Sequence, residues 1–116
     1  MKIIIPARYN SSRFPGKPLI KLKGITMIRR VWDKAILAIN KKNVYITTES
    51  EIIMNHCKEF TENVILTNDN CITGTDRVAE CAKKIKADYV INIQGDEPLI
   101  DHRDIKNIIE LAKIYF

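Results

Sequence analysis

The sequence predicts an α/β fold in which a mostly parallel sheet is flanked by helices. Four short runs rich in valine, isoleucine or tyrosine alternate with segments whose apolar residues recur every three or four positions. Strands separated by helices cannot pair as hairpins, so they are expected to run parallel and to be joined by right-handed crossovers. The chain has 116 residues, which suits one compact domain.

The predicted elements alternate between strand and helix throughout. The strands cover residues 2–5, 43–47, 63–66 and 89–93, and the apolar stripes of the intervening helices span 27–39, 53–60 and 78–85. A fourth helix is expected to begin with Asp101 as its N-cap. It would bury Ile105, Ile108, Ile109 and Ala112. We interpret all of these stripes as core packing.

The composition is that of a globular protein, with 46% hydrophobic and 28% charged residues. No apolar run approaches the roughly 20 residues that a membrane span needs. The first apolar run ends at Pro6, which is too soon for the core of a signal peptide. We therefore expect a cytoplasmic protein without a membrane partner.

The cysteines and histidines predict neither a disulfide framework nor a zinc site. The cysteines show no CxxC pair and no regular spacing; they are Cys57, Cys71 and Cys81. His56 stands beside a cysteine and His102 beside an aspartate, but adjacent residues point in different directions on an element. Neither pair forms a convincing ligand set.

The net charge of +5 suits an anionic partner, although it is also ordinary for a protein surface. Nucleic acid is disfavoured as that partner, because the basic residues are not interleaved with aromatic ones and the most basic loop is short and bounded by prolines. The position of the cations along the chain is more informative than their number.

Polar residues cluster directly after three of the predicted strands. Residues 6–18 follow the first strand, 67–77 the third and 94–98 the fourth. In open α/β sheets, ligands bind beyond the carboxyl ends of the strands. The three clusters are therefore expected to meet at one edge of the sheet.

The first cluster is a basic loop with the sequence PARYNSSRFPGKP. Its cations Arg8, Arg13 and Lys17 alternate with small residues whose backbone N–H groups are accessible, a combination that suits a polyphosphate. The loop is neither a Walker A motif nor a GxGxxG fingerprint. An ordinary solvated loop with a Pro-Gly turn has the same composition, so both interpretations stay open at this point.

The second and third clusters contribute a helix start and an acidic turn. Thr73 and Asp76 have the spacing of a capping box, which explains both structurally. Arg77 falls in the first helical turn, where a cation opposes the helix dipole and needs an anionic ligand or a carboxylate as partner. Asp96 lies in the turn that follows a buried strand and suits a hard cation bound with phosphates, although an acidic Gly-Asp turn in solvent gives the same pattern.

Three segments of these clusters resemble the 3-deoxy-manno-octulosonate (Kdo) cytidylyltransferases, also called CMP-Kdo synthetases. They are IIPARYNSSRFPGKPL, ITGTDRVAE and VINIQGDEPLI, in the order and spacing of that family. The resemblance extends over essentially the whole chain. It implies a Rossmann-like, GT-A-like nucleotidyltransferase fold. It also implies the reaction of CTP with Kdo to give CMP-Kdo and pyrophosphate, for lipopolysaccharide biosynthesis in Gram-negative bacteria.

The resemblance also implies roles for individual residues. The backbone that would meet the cytosine and ribose belongs to Pro6 and Ala7. The triphosphate would be held by Arg8, Arg13 and Lys17. The residues that would help to recognise the nucleotide are Thr73, Gly74, Thr75, Arg77 and Gln94. The cofactor Mg²⁺ would bind to Asp96, and the catalytic roles would fall to Arg8, Lys17 and Asp96.

Two features depart from the family pattern. Family members usually carry an aspartate after the second strand, where this sequence has Glu49. Their chains also continue further, into the part that supplies a second metal-binding aspartate, most of the sugar pocket and the surface of a homodimer. Residues 1–116 are therefore expected to be the nucleotide-binding N-terminal portion of a cytidylyltransferase domain, truncated relative to the family.

Two alternatives to Kdo transfer stay open. The chain would either belong to a cytidylyltransferase for a related acidic sugar or be a catalytically incomplete fragment that binds CTP.

Overall fold

The computed structural model describes residues 1–10, 14–68, 70, 71 and 73–115, with side chains as far as residue 111. The strands in this part of the chain are β1 (Lys2–Pro6), β2 (Lys21–Leu22), β3 (Ile25–Thr26), β4 (Val44–Thr48), β5 (Val64–Leu66) and β6 (Val90–Asn92). The helices are α1 (Met27–Ala38), α2 (Glu51–Cys57), α3 (Gly74–Ile85) and α4 (His102–Tyr115). Among the described residues, none of these helices is long and apolar enough to cross a membrane.

Four strands form a parallel sheet in the order β5-β4-β1-β6. In this register Ile4 of β1 lies opposite Tyr45 of β4 on one side and Asn92 of β6 on the other. The predicted α/β fold with a mostly parallel sheet flanked by helices is confirmed. Each predicted strand end lies within one residue of the observed end.

The path of the chain across the sheet reverses at β1. Strands β4 and β5 are added one after the other on one side of β1, whereas β6 lies on its other side. At such a switch point the connections leave toward opposite faces of the sheet and open a crevice at the carboxyl ends of the two strands. The crevice therefore lies beyond the ends of β1 and β6.

Helices cover both faces of the sheet, and successive side chains of each strand point to opposite faces. Ile3 and Ile5 belong to the larger core cluster, which α1, α2 and α4 complete. Ile4 belongs to a second cluster with Val78 and Cys81 of α3. All three isoleucines are fully buried. Burial on both faces fixes β1 at the centre of the molecule.

Helix α4 begins as predicted but buries a narrower stripe. The Asp101 carboxylate accepts a hydrogen bond from the Arg103 backbone N–H at 2.8 Å and caps the first turn. The Arg103 side chain also hydrogen-bonds this carboxylate and holds its pKa well below the usual range. Ile105 and Ile109 are buried, but Ile108 is 51% exposed, so the prediction for Ile108 was wrong. Residues four apart define the buried stripe, and Ile108 falls at its edge; the Ala112 side chain lies outside the described residues.

A short antiparallel hairpin of β2 and β3 was not predicted. Its two-residue turn has positive φ at both positions, 53° at Lys23 and 81° at Gly24. That conformation matches the twist of the flanking strands in two-residue hairpins, and the second position favours glycine. The signal in the sequence was a Lys-Gly pair between Leu22 and Ile25, and each strand is only two residues long.

Candidate functional site

A cleft of about 210 Å³ lies beyond the carboxyl ends of β1 and β6. The residues that line it are Pro6, Ala7, Arg8, Lys17, Pro18, Gly74, Gln94, Gly95 and Asp96. They come from all three polar clusters of the sequence. The expected convergence of these clusters at one sheet edge is confirmed.

Gly95 allows the ends of β1 and β6 to approach closely. Its backbone N–H donates to the Pro6 carbonyl at 3.0 Å. A Cβ at this position would lie 2.9 Å from Cδ1 of Ile28, 3.0 Å from the Pro6 carbonyl oxygen and 3.1 Å from Cβ of Ala7. Only glycine fits such a contact without displacing the backbone, so Gly95 shapes the floor of the cleft. The signal in the sequence was a glycine in the polar cluster that follows the fourth predicted strand, but periodicity did not identify it as a site residue.

The first loop is closed at its base by a backbone hydrogen bond. The Gly16 N–H donates to the Tyr9 carbonyl at 2.7 Å, and Gly16 has a φ of 73°, which favours glycine. A 3₁₀ turn over Lys17–Leu19 follows immediately. We call the Tyr9 and Gly16 pair the loop neck. It brings Arg8 and Lys17, nine positions apart in the sequence, to the same cleft.

The cleft contains an ion pair between Lys17 and Asp96. The Lys17 Nζ lies 3.1 Å from Oδ2 of Asp96, and the two side chains are 43% and 41% exposed. An ion pair this exposed contributes little to stability, on the order of 0–1 kcal/mol. A charged ligand can therefore break this ion pair at a small cost in free energy. The Lys17 ammonium and the Asp96 carboxylate are then both available in the cleft.

The start of α3 forms one wall of the cleft. Asp76 N–H donates to Oγ1 of Thr73 at 3.1 Å and Thr73 N–H donates to Oδ2 of Asp76 at 3.3 Å, which confirms the predicted capping box. A Cβ on Gly74 would lie 3.1 Å from Nε2 and Oε1 of Gln94. Gly74 and Gln94 therefore meet inside the cleft. Thr75 is exposed, and neither threonine lines the cleft.

Arg77 lies beneath the cleft instead of in its wall. It is fully buried, and its Nη2 lies 3.4 Å from Oε2 of Glu49. Its Nη1 donates to Oγ1 of Thr67 at 2.7 Å. Of the two partners that the sequence left open for Arg77, a ligand anion or a carboxylate, the structure contains the carboxylate. Glu49 was noted only as a departure from the family pattern, and its buried contacts were missed.

Two further expectations concern Arg13 and the metal ion. Arg13 lies outside the described residues. Within the described part of the chain, no three histidine, cysteine, aspartate or glutamate side chains form a cluster that could hold a metal. The cleft itself offers Asp96 alone as a carboxylate among its lining residues. One carboxylate suits Mg²⁺ that is held mainly by phosphates and water, since such ions take only one or two carboxylates from the protein.

Comparison with known proteins identifies relatives along nearly the whole chain. A family model described as cytidylyltransferase matches residues 2–113. The mitochondrial 3-deoxy-manno-octulosonate cytidylyltransferase of Arabidopsis thaliana is 42% identical over 113 residues, which are 96% of this chain and 39% of that protein. An 8-amino-3,8-dideoxy-manno-octulosonate cytidylyltransferase of Shewanella halifaxensis is 41% identical over 114 residues, covering 96% of this chain and 46% of that protein.

The fold matches a solved structure of the same group of enzymes. CMP:2-keto-3-deoxy-manno-octonic acid synthetase, solved in complex with CTP, superposes with a TM-score of 0.90 at 38% identity. The match covers 97% of this chain and 46% of that one. The chain thus spans less than half the length of each of these three relatives.

Proposed function

Because the chain belongs to the cytidylyltransferase family, we propose that it forms the nucleotide-binding part of an enzyme that transfers CMP from CTP to Kdo. The products are CMP-Kdo and pyrophosphate, and the role of the reaction is in lipopolysaccharide biosynthesis. The observation that carries this proposal is the cleft at the switch point, where Arg8, Lys17 and Asp96 meet. Residues 1–116 then constitute the N-terminal portion of a cytidylyltransferase domain.

The proposed pose places the triphosphate at the loop neck. Arg8 and Lys17 stand on either side of the neck and grip phosphate oxygens, with Arg13 as a third cation. The buried backbone of Pro6 and Ala7 supports the cytosine and ribose. This pose is supported by the cleft lining, which contains two cations and a single carboxylate.

The start of α3 completes nucleotide recognition in this proposal. Gln94 lies against Gly74 and can hydrogen-bond the nucleotide through its amide. The same turn contains Thr73, Thr75 and Arg77, which we also assign to nucleotide recognition. Arg77 acts by stabilising this turn from beneath the cleft. Backbone N–H groups of the first turn also face the cleft end of the helix, where negative charge is favoured.

Asp96 is the proposed ligand of Mg²⁺. Its exposed carboxylate lies in the turn after β6, beside Lys17, which can turn toward phosphate once the ion pair opens. When bound, Mg²⁺ polarises the phosphoryl group and helps to neutralise pyrophosphate. This assignment fits the preference of the ion for a site built from one carboxylate, phosphates and water.

The transfer itself needs position and charge but no covalent nucleophile from the protein. The Kdo hydroxyl oxygen forms a bond to the α-phosphorus, the bond from that phosphorus to the β-phosphate oxygen breaks, and the hydroxyl proton passes to solvent. Arg8 and Lys17 keep the phosphates in line for this attack and neutralise the charge that develops on pyrophosphate.

A pyrophosphate-release assay tests the proposal. The longer protein of which residues 1–116 are the proposed N-terminal portion should release pyrophosphate when it is incubated with CTP, Mg²⁺ and Kdo. Lys17→Gln should abolish the release, whereas Lys83→Gln, the same change at an exposed lysine near the end of α3, should leave it intact. Absence of pyrophosphate release from that longer wild-type protein with Kdo would contradict the transfer reaction. Release with the 8-amino-3,8-dideoxy sugar alone would reassign the acceptor.

A second candidate function is CTP binding without transfer, which is favoured by the small share of its relatives that the chain spans. Calorimetry separates this candidate from the first. Mg²⁺-dependent preference for CTP over ATP, without pyrophosphate release, would support it. Equal affinity for both nucleotides would contradict both functions.

The cellular setting follows from the same proposal. We place the protein in the cytoplasm, with CTP and Kdo or a related acidic sugar as its partners and with neither nucleic acid nor membrane among them. We also propose that the full-length family member forms a homodimer. Size-exclusion chromatography with light scattering measures the oligomeric state directly.

A further inference from the structure

A buried polar network lies beneath the cleft and joins three loops of the sheet edge. At its centre, the side chains of Glu49 and Arg77 are 6% and 1% exposed and lie 3.4 Å apart. Arg77 Nη1 also donates to Oγ1 of Thr67 at 2.7 Å and to the Asn68 carbonyl at 3.3 Å. The network therefore links the turn after β4, the turn after β5 and the first turn of α3.

The second carboxylate oxygen of Glu49 holds the loop neck. Oε1 of Glu49 accepts a hydrogen bond from the Tyr9 backbone N–H at 2.6 Å, across 40 positions of sequence. The Tyr9 carbonyl in turn accepts from the Gly16 N–H at 2.7 Å. The Glu49 carboxylate thus hydrogen-bonds Tyr9, the residue whose carbonyl closes the loop. The two flanking cations, Arg8 and Lys17, both line the cleft.

The charge on Glu49 is tolerated there because of Arg77. A buried carboxylate without a partner is strongly unfavourable, and a buried guanidinium equally so. The two opposite charges compensate each other, so the negative charge beneath the cleft is balanced before any anionic ligand binds above it. Arg77 is available for this pairing because it lies within α3 below the cleft instead of lining it.

We propose that Glu49 is a positioning residue for the triphosphate. It acts by anchoring the loop neck through the Tyr9 N–H. Its carboxylate keeps Arg8 and Lys17 converged on the cleft in the absence of nucleotide, so that little of the binding free energy is lost in ordering the loop. This inference rests on the proposed function, because it assumes that these two cations bind the phosphates of CTP.

A matched pair of double variants tests the anchor. Glu49→Gln alone would turn an amide N–H₂ toward Arg77 and leave a buried cation unpaired, so Arg77 is removed in both. In E49Q/R77M the side-chain carbonyl at position 49 still accepts from the Tyr9 N–H, whereas in E49M/R77M no strong acceptor remains. The side chains introduced at position 49 have similar length and no charge, and replacing a buried ion pair with apolar groups of similar size is often tolerated. Any loss caused by the absence of Arg77 is common to both.

The readout is the affinity for CTP and for CMP in Mg²⁺, measured by calorimetry. CMP lacks the β- and γ-phosphates. We expect E49M/R77M to bind CTP about tenfold more weakly than E49Q/R77M, with CMP affinity equal in the two. Equal CTP affinity in the two variants would overturn the proposal. A parallel loss for CMP would do the same, because a merely structural role weakens both nucleotides alike.

Amide hydrogen exchange decides the anchor independently of nucleotide. The Gly16 amide should exchange faster in E49M/R77M than in E49Q/R77M, while the Ile5 and Ile46 amides in the sheet exchange equally. Equal exchange at Gly16 would overturn the anchor even if CTP bound normally. Wild-type protein that shows no preference for CTP over CMP would instead refute the phosphate assignment of the proposed function, and faster Gly16 exchange would still support the anchoring of the neck.

Discussion

Asp96 lies in the turn after β6 and contributes an exposed carboxylate to the lining of the cleft. Asp96→Asn keeps the side-chain shape but removes the charge that attracts a cation. We expect the strengthening of CTP binding by Mg²⁺ to fall by about tenfold or more, equivalent to ~1.4 kcal/mol. Titration calorimetry with and without Mg²⁺ measures this difference.

The matched control is Asp88→Asn, which removes the same charge from an exposed site just before β6, at the opposite end of that strand. It should leave the Mg²⁺ effect unchanged. If the two variants behaved alike, the assignment of Asp96 as the metal ligand would be wrong.

Two glycines of the cleft should differ in their response to alanine. At Gly95 an added Cβ meets a backbone carbonyl oxygen at 3.0 Å and a core methyl group at 2.9 Å, so Gly95→Ala should lower the free energy of unfolding by about 1–3 kcal/mol. At Gly74 the Cβ meets only the Gln94 side chain, at 3.1 Å, which can rotate away. Gly74→Ala should change stability by less than ~1 kcal/mol. Urea unfolding compares them, and equal losses would show that the strand ends can separate freely.

Among the elements, α3 depends on its capping box. Thr73→Ala removes the acceptor for the Asp76 N–H and should destabilise the protein by about 1 kcal/mol. Thr75→Ala, in the same turn but exposed and outside the capping box, is the control and should be nearly neutral. Urea unfolding monitored by circular dichroism measures both. A neutral Thr73→Ala would mean that packing of α3 on Ile4 alone holds this turn.

The elements were predictable where one periodic pattern decided them. The continuous apolar run of β1 results from burial on both faces of the sheet. The stripes of α1 and α3 result from burial of one side of each helix. The hairpin of β2 and β3 has two residues in each strand, too few to show a period, so its turn chemistry was the only signal. Ile108 was misassigned because a stripe predicts which side of a helix is buried but not how wide the contact is.

In the whole molecule, the cleft was predictable because topology gathers strand ends at one edge. The residues that reach it from the sequence clusters, such as Arg8, Lys17 and Asp96, needed only the order of strands to be placed there. The buried pair of Glu49 and Arg77 was not predictable in this way. Its contacts join residues far apart in sequence and depend on side-chain reach, which no local pattern encodes.

The two faces of the sheet each bury one cysteine, and this gives a test of the packing of the whole molecule. Cys57 of α2 belongs to the larger core and Cys81 of α3 to the opposite one, whereas Cys71 is partly exposed. Burial raises the pKa of the Cys57 thiol to about 12 and that of Cys81 to about 11. The thiolate is the reactive form, so at pH 8 at most about one in a thousand of these buried thiols is reactive.

We therefore expect one thiol, that of Cys71, to react with an aromatic disulfide reagent in the native protein at pH 8, and three to react in urea. Cys71→Ser should abolish the fast native reaction, and it leaves both cores untouched. If Cys81 then reacted while Cys57 stayed protected, the result would show that the sheet face covered by α3 opens without global unfolding. Mass spectrometry of the labelled peptides distinguishes the two cysteines. Equal and slow labelling of both would show that the sheet and the helices on its two faces unfold as one cooperative unit.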